Sequence, residues 1–299
     1  MANTVKRKLL LLGKSGAGKT SMRSIIFSNY LAKDTRRLGA TIDVEHSNVR
    51  LLGNLVLNLF DCAGQTNFQK NFLTSQRDQI FRNVQVLVYV FDISGDLEED
   101  LDFYIKCLQA LQEYSKHAKV VCLVHKMDLL PVAKRDLEYN KYEKKLQSIS
   151  SDYHMSIDLF ATSIWDESLY HAWSSIVISL IPNINQLEQN LEQFFNLLGA
   201  HEIIVFERTT FLVVTHLPSK PKNHHRFEKI SNIVKQFKLS CSRMQSKFEG
   251  MEIESDDCKL ILDSLTSNTY ILICMKDNVE LAIVKHNIHQ ARQLFEGLW

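Results

Sequence analysis

The sequence predicts an α/β chain: a mostly parallel six-stranded sheet covered by helices, followed by a smaller α+β domain. From residue 6 to about 183, strand-like apolar runs alternate with amphipathic stretches, the βαβ pattern of a parallel sheet. Three of those runs end in loops of distinctive composition, at Gly13, Asp61 and Asp128, and ligands of open α/β sheets bind beyond the carboxyl ends of the strands. Beyond residue 183 the pattern changes to paired short apolar runs between long amphipathic stretches, which reads as hairpins plus helices. A chain of 299 residues has length for about two domains, placed at 1–183 and 184–299.

The first strand, Leu9–Leu12, runs into Gly13-Lys14-Ser15-Gly16-Ala17-Gly18-Lys19-Thr20, which fits G-x-x-x-x-G-K-[ST]. Its glycines let successive backbone N–H groups turn inward, so Ser15, Gly16, Ala17, Gly18, Lys19, Thr20 and Ser21 are the candidate phosphate contacts. Lys19 places an ammonium on the β/γ oxygens, and Thr20 offers its hydroxyl to Mg²⁺. A helix expected over Ser21–Leu31 adds the pull of its N-terminal partial charge. The loop therefore implies a nucleoside triphosphate.

Next in order, Arg36-Arg37-Leu38-Gly39-Ala40-Thr41 leads into the second strand, Val44–Leu52. Thr41 can ligate Mg²⁺ and bond the γ-phosphate, with Thr35 a second candidate of the same kind. Arg36 and Arg37 read as a solvated positive stretch. The third strand, Leu55–Phe60, delivers Asp61-Cys62-Ala63-Gly64-Gln65, a D-x-x-G-Q. Asp61 would hold the ion through water, Gly64 would contact the γ-phosphate, and Gln65 would orient an attacking water. Lys19, Thr41 and Gln65 are the catalytic candidates; Thr20, Thr41 and Asp61 are the metal candidates.

Gln85–Asp92 and Val120–Lys126 are the next strands, and the second carries His125-Lys126-Met127-Asp128 at its end. A carboxylate accepts from both the N1–H and the exocyclic amine of guanine, a pair of donors that adenine lacks, so Asp128 selects guanine. Lys126 would lay its stem across the base. After Ile157–Ala161, the amides of Ser163-Ile164 could reach the carbonyl of guanine. The ligands implied are GTP and GDP with Mg²⁺.

In the second domain, Leu187, Leu191, Phe194, Phe195 and Leu198 recur at helical spacing up to Gly199, a C-cap candidate. A hairpin follows, Ile203–Phe206 and Phe211–Thr215, then a helix over His224–Phe248. The runs Leu260–Leu265 and Thr269–Met275 flank the turn at 266–268, and a last helix covers Val279–Leu298. A small sheet of this kind has free edges that pair with partners.

Composition excludes several classes. The net charge is +1, with 22 Lys+Arg against 20 Asp+Glu in residues 1–183 and 13 against 14 in 184–299, so neither half is a basic nucleic-acid binder. The six cysteines form no C-x-x-C pair and read as reduced thiols. No stretch approaches the roughly 18 apolar residues of a membrane span. Ala2 lacks the glycine of N-myristoylation and the closing Glu-Gly-Leu-Trp is not C-a-a-X, so a membrane address is expected from a partner. His224-His225 read as a helix start, Lys6-Arg7-Lys8 as plain surface, and Trp165 with Trp173, eight apart, as packing a helix on the sheet.

On Gly13–Met22, Arg36–His46, Ser75–Asn83, His125–Asp128, Thr162–Asp166 and Phe227–Ser242, the sequence resembles the Rag-type GTPases of the Ras superfamily, in their RagA/RagB-like class, over nearly its whole length. One departure is Ala63, where animal relatives tend to have glycine. The resemblance implies a P-loop GTPase domain and a roadblock/longin-like dimerisation domain. It implies a heterodimer with a RagC/RagD-like GTPase, a membrane scaffold complex of Ragulator/EGO type, a GTPase-activating complex, and signalling of amino-acid sufficiency to the target-of-rapamycin complex. The expected location is the cytoplasmic face of the lysosomal or vacuolar membrane, with cytoplasm and nucleus as further compartments. The competing readings are a scaffold subunit that holds nucleotide without cycling, and a phosphoryl-transfer kinase.

Overall fold

The computed structural model describes residues 5–28, 30–39, 45–52, 55–61, 77–181, 183–218, 226–254, 258–276 and 279–298. By contacts it divides into two compact units, the first centred on residues 5–49 and 56–172, the second on 50–55 and 173–299, with the division inside a helix.

The first unit contains β1 (Val5–Gly13), α1 (Lys19–Phe27), a 3-10 turn (Ala32–Arg37), β2 (Glu45–Leu51), β3 (Leu55–Asp61), α2 (Arg77–Phe81), β4 (Val84–Asp92) and α3 (Leu97–Tyr114). It continues with β5 (Lys119–His125), a 3-10 turn (Met127–Leu129), α4 (Val132–Asp152), β6 (Ile157–Thr162) and the first turn of α5 (Ser168–Ile178), the helix that the division cuts. The sheet order is β2-β3-β1-β4-β5-β6, and β1, β4, β5 and β6 pair in parallel. The near-continuous apolar runs of β1, β4 and β5 follow from burial on both faces. Asp96 starts α3 by accepting from the Glu98 N–H at 2.9 Å, and Leu101, Tyr104, Leu108 and Leu111 turn inward at helical spacing. They meet Leu87, Tyr89 and Phe91 of β4 in one core.

Two expectations change here. The helix expected to reach Leu31 ends at Phe27, because Ser28 leaves helical geometry and the Tyr30 N–H folds back onto the Ser24 carbonyl. Trp173 is wholly buried, but Trp165 is 51% exposed in the loop after β6, so the two do not form one packed stripe.

The second unit contains α6 (Ile184–Leu198), β7 (Glu202–Glu207), β8 (Val213–Leu217), α7 (Arg226–Arg243), β9 (Met251–Glu254), β10 (Cys258–Ser264), β11 (Thr269–Lys276) and α8 (Leu281–Glu296). Its sheet, β8-β7-β11-β10-β9, is antiparallel throughout. Gly199 caps α6 in the left-handed region at φ +60. The helix α7 stops at Arg243 rather than Phe248, and Gln245 at φ +57 turns the chain away. Strand β9 was not expected: four residues, Met-Glu-Ile-Glu, give too short an alternation to read alone. His224 and His225 lie outside the described residues. No helix among the described residues is long and apolar enough to cross a membrane.

Candidate nucleotide-binding site

The phosphate loop takes its shape from close approaches. Gly13 ends β1 opposite Val90 of β4, and a Cβ there would sit 2.3 Å from the Val90 carbonyl oxygen. Gly18 lies at φ +91, and a Cβ on it would meet the His125 ring at 2.8 Å. Only glycine fits either place. Around Gly16 the space is open. The Met22 N–H bonds the Gly18 carbonyl at 2.9 Å and launches α1 from the loop. Lys19, 5% exposed, curls back so that Nζ donates to the carbonyls of Gly13 (2.9 Å) and Lys14 (2.8 Å). The ammonium is thus parked on the loop itself.

The base-side loops converge from β4, β5 and β6. His125, 1% exposed, has Nδ1 2.9 Å from Thr162 Oγ1. Burial, with the Lys126 charge beside it, lowers its pKa to about 4, so it is a neutral wedge between β6 and the phosphate loop. Lys126 adopts φ +63 and pairs its ammonium with Asp92 at the end of β4. Burial would raise the Asp92 carboxyl, but hydrogen bonds from Lys126 and Ser94 outweigh it and hold the pKa below the usual value. Asp128 accepts from the Ser163 hydroxyl at 2.6 Å, and that oxygen accepts in turn from the Trp165 N–H at 3.1 Å.

Several expected residues stand differently. The Ser163 N–H donates to Ser168 Oγ at 2.9 Å, so of the two amides expected to reach a base carbonyl this one is taken. The Thr35 hydroxyl, buried, donates to the Ala32 carbonyl at 2.7 Å and closes the 3-10 turn. Arg36 is exposed as expected, yet its guanidinium lies over the Trp165 ring. Thr20 sits on the first turn of α1, while Thr41, Gly64 and Gln65 lie outside the described residues; Asp61 ends β3. Ser15, Gly16, Ala17 and Ser21 frame the loop, and Ile164 follows Ser163 beyond β6. Sequence reasoning missed Asp92 and Thr162, both of which end strands at the sheet's carboxyl edge; a polar residue closing an apolar run was the signal.

A glycine-lined loop with its own lysine, facing a carboxylate two strands away, fits the two ends of a purine nucleotide. The Gtr1/RagA G protein conserved region matches residues 8–234. The chain belongs to the Gtr1/RagA family of G proteins. It is 52% identical to the Ras-related GTP-binding protein A of Dictyostelium discoideum, over 98% of this chain and 97% of that one. It is 52% identical to the GTP-binding protein gtr1 of Schizosaccharomyces pombe, over 98% and 96%. With the Ras-related GTP-binding protein C of mouse the identity is 25%, over 69% of this chain and 52% of that one, so this Gtr1/RagA chain sides with the A class. Membership makes it a guanine-nucleotide-binding GTPase.

Proposed function

We propose that this chain hydrolyses GTP slowly by itself and cycles as a Mg²⁺-dependent switch in a heterodimer with a RagC/RagD-like subunit. Through a membrane scaffold complex of Ragulator/EGO type, the pair reports amino-acid sufficiency to the target-of-rapamycin complex at the cytoplasmic face of the lysosomal or vacuolar membrane. The observation that carries the switch is the convergence of Lys19, from the loop after β1, with His125 and Asp128, from the end of β5, on one edge of the parallel sheet.

Bound Mg²⁺ would neutralise charge on the phosphate oxygens, held by Thr20 and Thr41 directly and by Asp61 through water. Lys19 would leave the loop carbonyls for the phosphates, and Gln65 would orient the attacking water. The added cation that such hydrolysis needs for speed is expected from an activating complex. Partner binding is supported by the second unit, where α7 exposes Ile233 (58%) and Phe237 (52%), Met244 just beyond its end is 69% exposed, and the edge strand β9 exposes Ile253.

Single-turnover release of phosphate from the GTP-loaded chain, with and without a purified RagC/RagD-like subunit and an activating complex, tests this reading. Slow release that the activator speeds is expected, and Gln65→Leu should retain GTP under both conditions. A Gln65→Leu chain that releases phosphate at the wild-type rate would remove that residue's role. A chain that elutes as a monomer beside the partner would remove the heterodimer.

A further inference from the structure

Two loops that belong to opposite edges of the parallel sheet meet. The segment Ala32–Arg37 joins α1 to β2 at one edge, and residues 163–167 join β6 to α5 at the other. The Arg36 Cζ lies 5.6 Å from the centre of the Trp165 ring, inside the range of a cation–π contact. Both ends are anchored. Trp165 hangs from Ser163, which is bonded to Asp128, and the turn bearing Arg36 is closed by the buried Thr35 hydroxyl. The strands between these edges carry the phosphate loop (β1) and the Asp128 loop (β5), so the contact passes across the opening that serves both.

We propose that Arg36 and Trp165 form a clasp across the mouth of the nucleotide site and slow nucleotide release. The clasp rests on the nucleotide reading of the site. It also gives Trp165, a large half-exposed ring, a task that core packing does not. Neither side chain is a catalytic residue; each acts by holding its loop.

The test is the release of tritiated GDP from the full chain, measured by filter binding against excess unlabelled GDP. Arg36→Gln and Trp165→Ala should each speed release about two- to fivefold, the range for an exposed contact of this kind. The double variant should be no faster than the faster single one, Trp165→Phe should restore most of the retention, and Arg37→Gln should leave the rate unchanged. Single variants at the wild-type rate, a double variant whose acceleration is the product of the singles, or an equal acceleration by Arg37→Gln would each overturn the clasp. A wild-type chain that holds no GDP would overturn the nucleotide reading and the clasp with it.

Discussion

At the carboxyl edge of the parallel sheet, polar groups pair across long stretches of sequence: Lys126 with Asp92, Ser163 with Asp128, and His125 with Thr162, at separations of 34, 35 and 37 residues. In the antiparallel unit two buried polar clusters are satisfied at home, although the Ser174 hydroxyl there reaches the Val213 N–H 39 residues on. Glu207, 2% exposed, accepts from the Thr209 N–H, the Thr210 N–H and the Thr210 hydroxyl, and Thr266 bonds Thr269 three residues on. Burial still raises the Glu207 carboxyl against those donors. The contrast separates two uses of a buried hydrogen bond. Local pairs close a turn and cost little chain entropy, whereas distant pairs form only once the fold has closed long loops, and they fix several loops relative to one another. The second kind builds a site.

Breaking the parallel-sheet end should therefore cost ligand binding first. The largest effect belongs to Lys19→Ala, for which GDP and GTP affinity should fall about 100-fold by calorimetry, since a charge-assisted bond to phosphate is lost. Asp128→Asn should reduce the preference for guanine over xanthine nucleotides roughly tenfold or more, read by competition binding, because an amide cannot accept from both guanine donors.

His125 sharpens the comparison through pH. Its pKa falls from 6.5 to about 4 on folding, so between those values the unfolded chain takes up a proton that the native one refuses, and stability is lost as pH falls. Relative to His125→Gln, the wild type should lose about 1.4 kcal/mol per pH unit across that window in urea unfolding. Asp100, raised to about 6 by burial, has the opposite sign over much of the same range, but it is common to both chains and drops out of the difference.

The smallest effects set a long-range hydroxyl against a local one. Thr210→Val should lower stability by about 1–2 kcal/mol and leave GDP affinity alone. Thr162→Val removes a buried hydroxyl of the same kind, yet it should weaken GDP binding about threefold as well, because His125 loses its anchor. Equal GDP affinities in the two variants would erase the distinction between local and distant pairs.

Much of this was legible in advance. Five strands of the first sheet were readable to within a residue, because burial on both faces makes the centres of β4 and β5 apolar and their ends abrupt, whereas β1 begins four residues before the expected Leu9, its start hidden by Lys6-Arg7-Lys8. Lys19, His125 and Asp128 were readable because glycine spacing and a strand's polar end are local signals. The pairings of Asp92 and Thr162 were not, since nothing in their neighbourhoods names Lys126 or His125 as partners. Trp165 misled: its spacing from Trp173 is helical, but Ser163 and Asp166 hold a turn there that the period cannot show.

The residues alone determined the phosphate loop, the carboxylate for guanine, and a parallel sheet followed by hairpins and helices, because these rest on spacing and on the chemistry of single side chains. Only the tertiary structure decided that His125 wedges against Gly18, that Lys126 answers to Asp92, and that Arg36 reaches Trp165. Those contacts join residues far apart in sequence. Their partners are chosen by the order in which the strands lie, and no local pattern records that order.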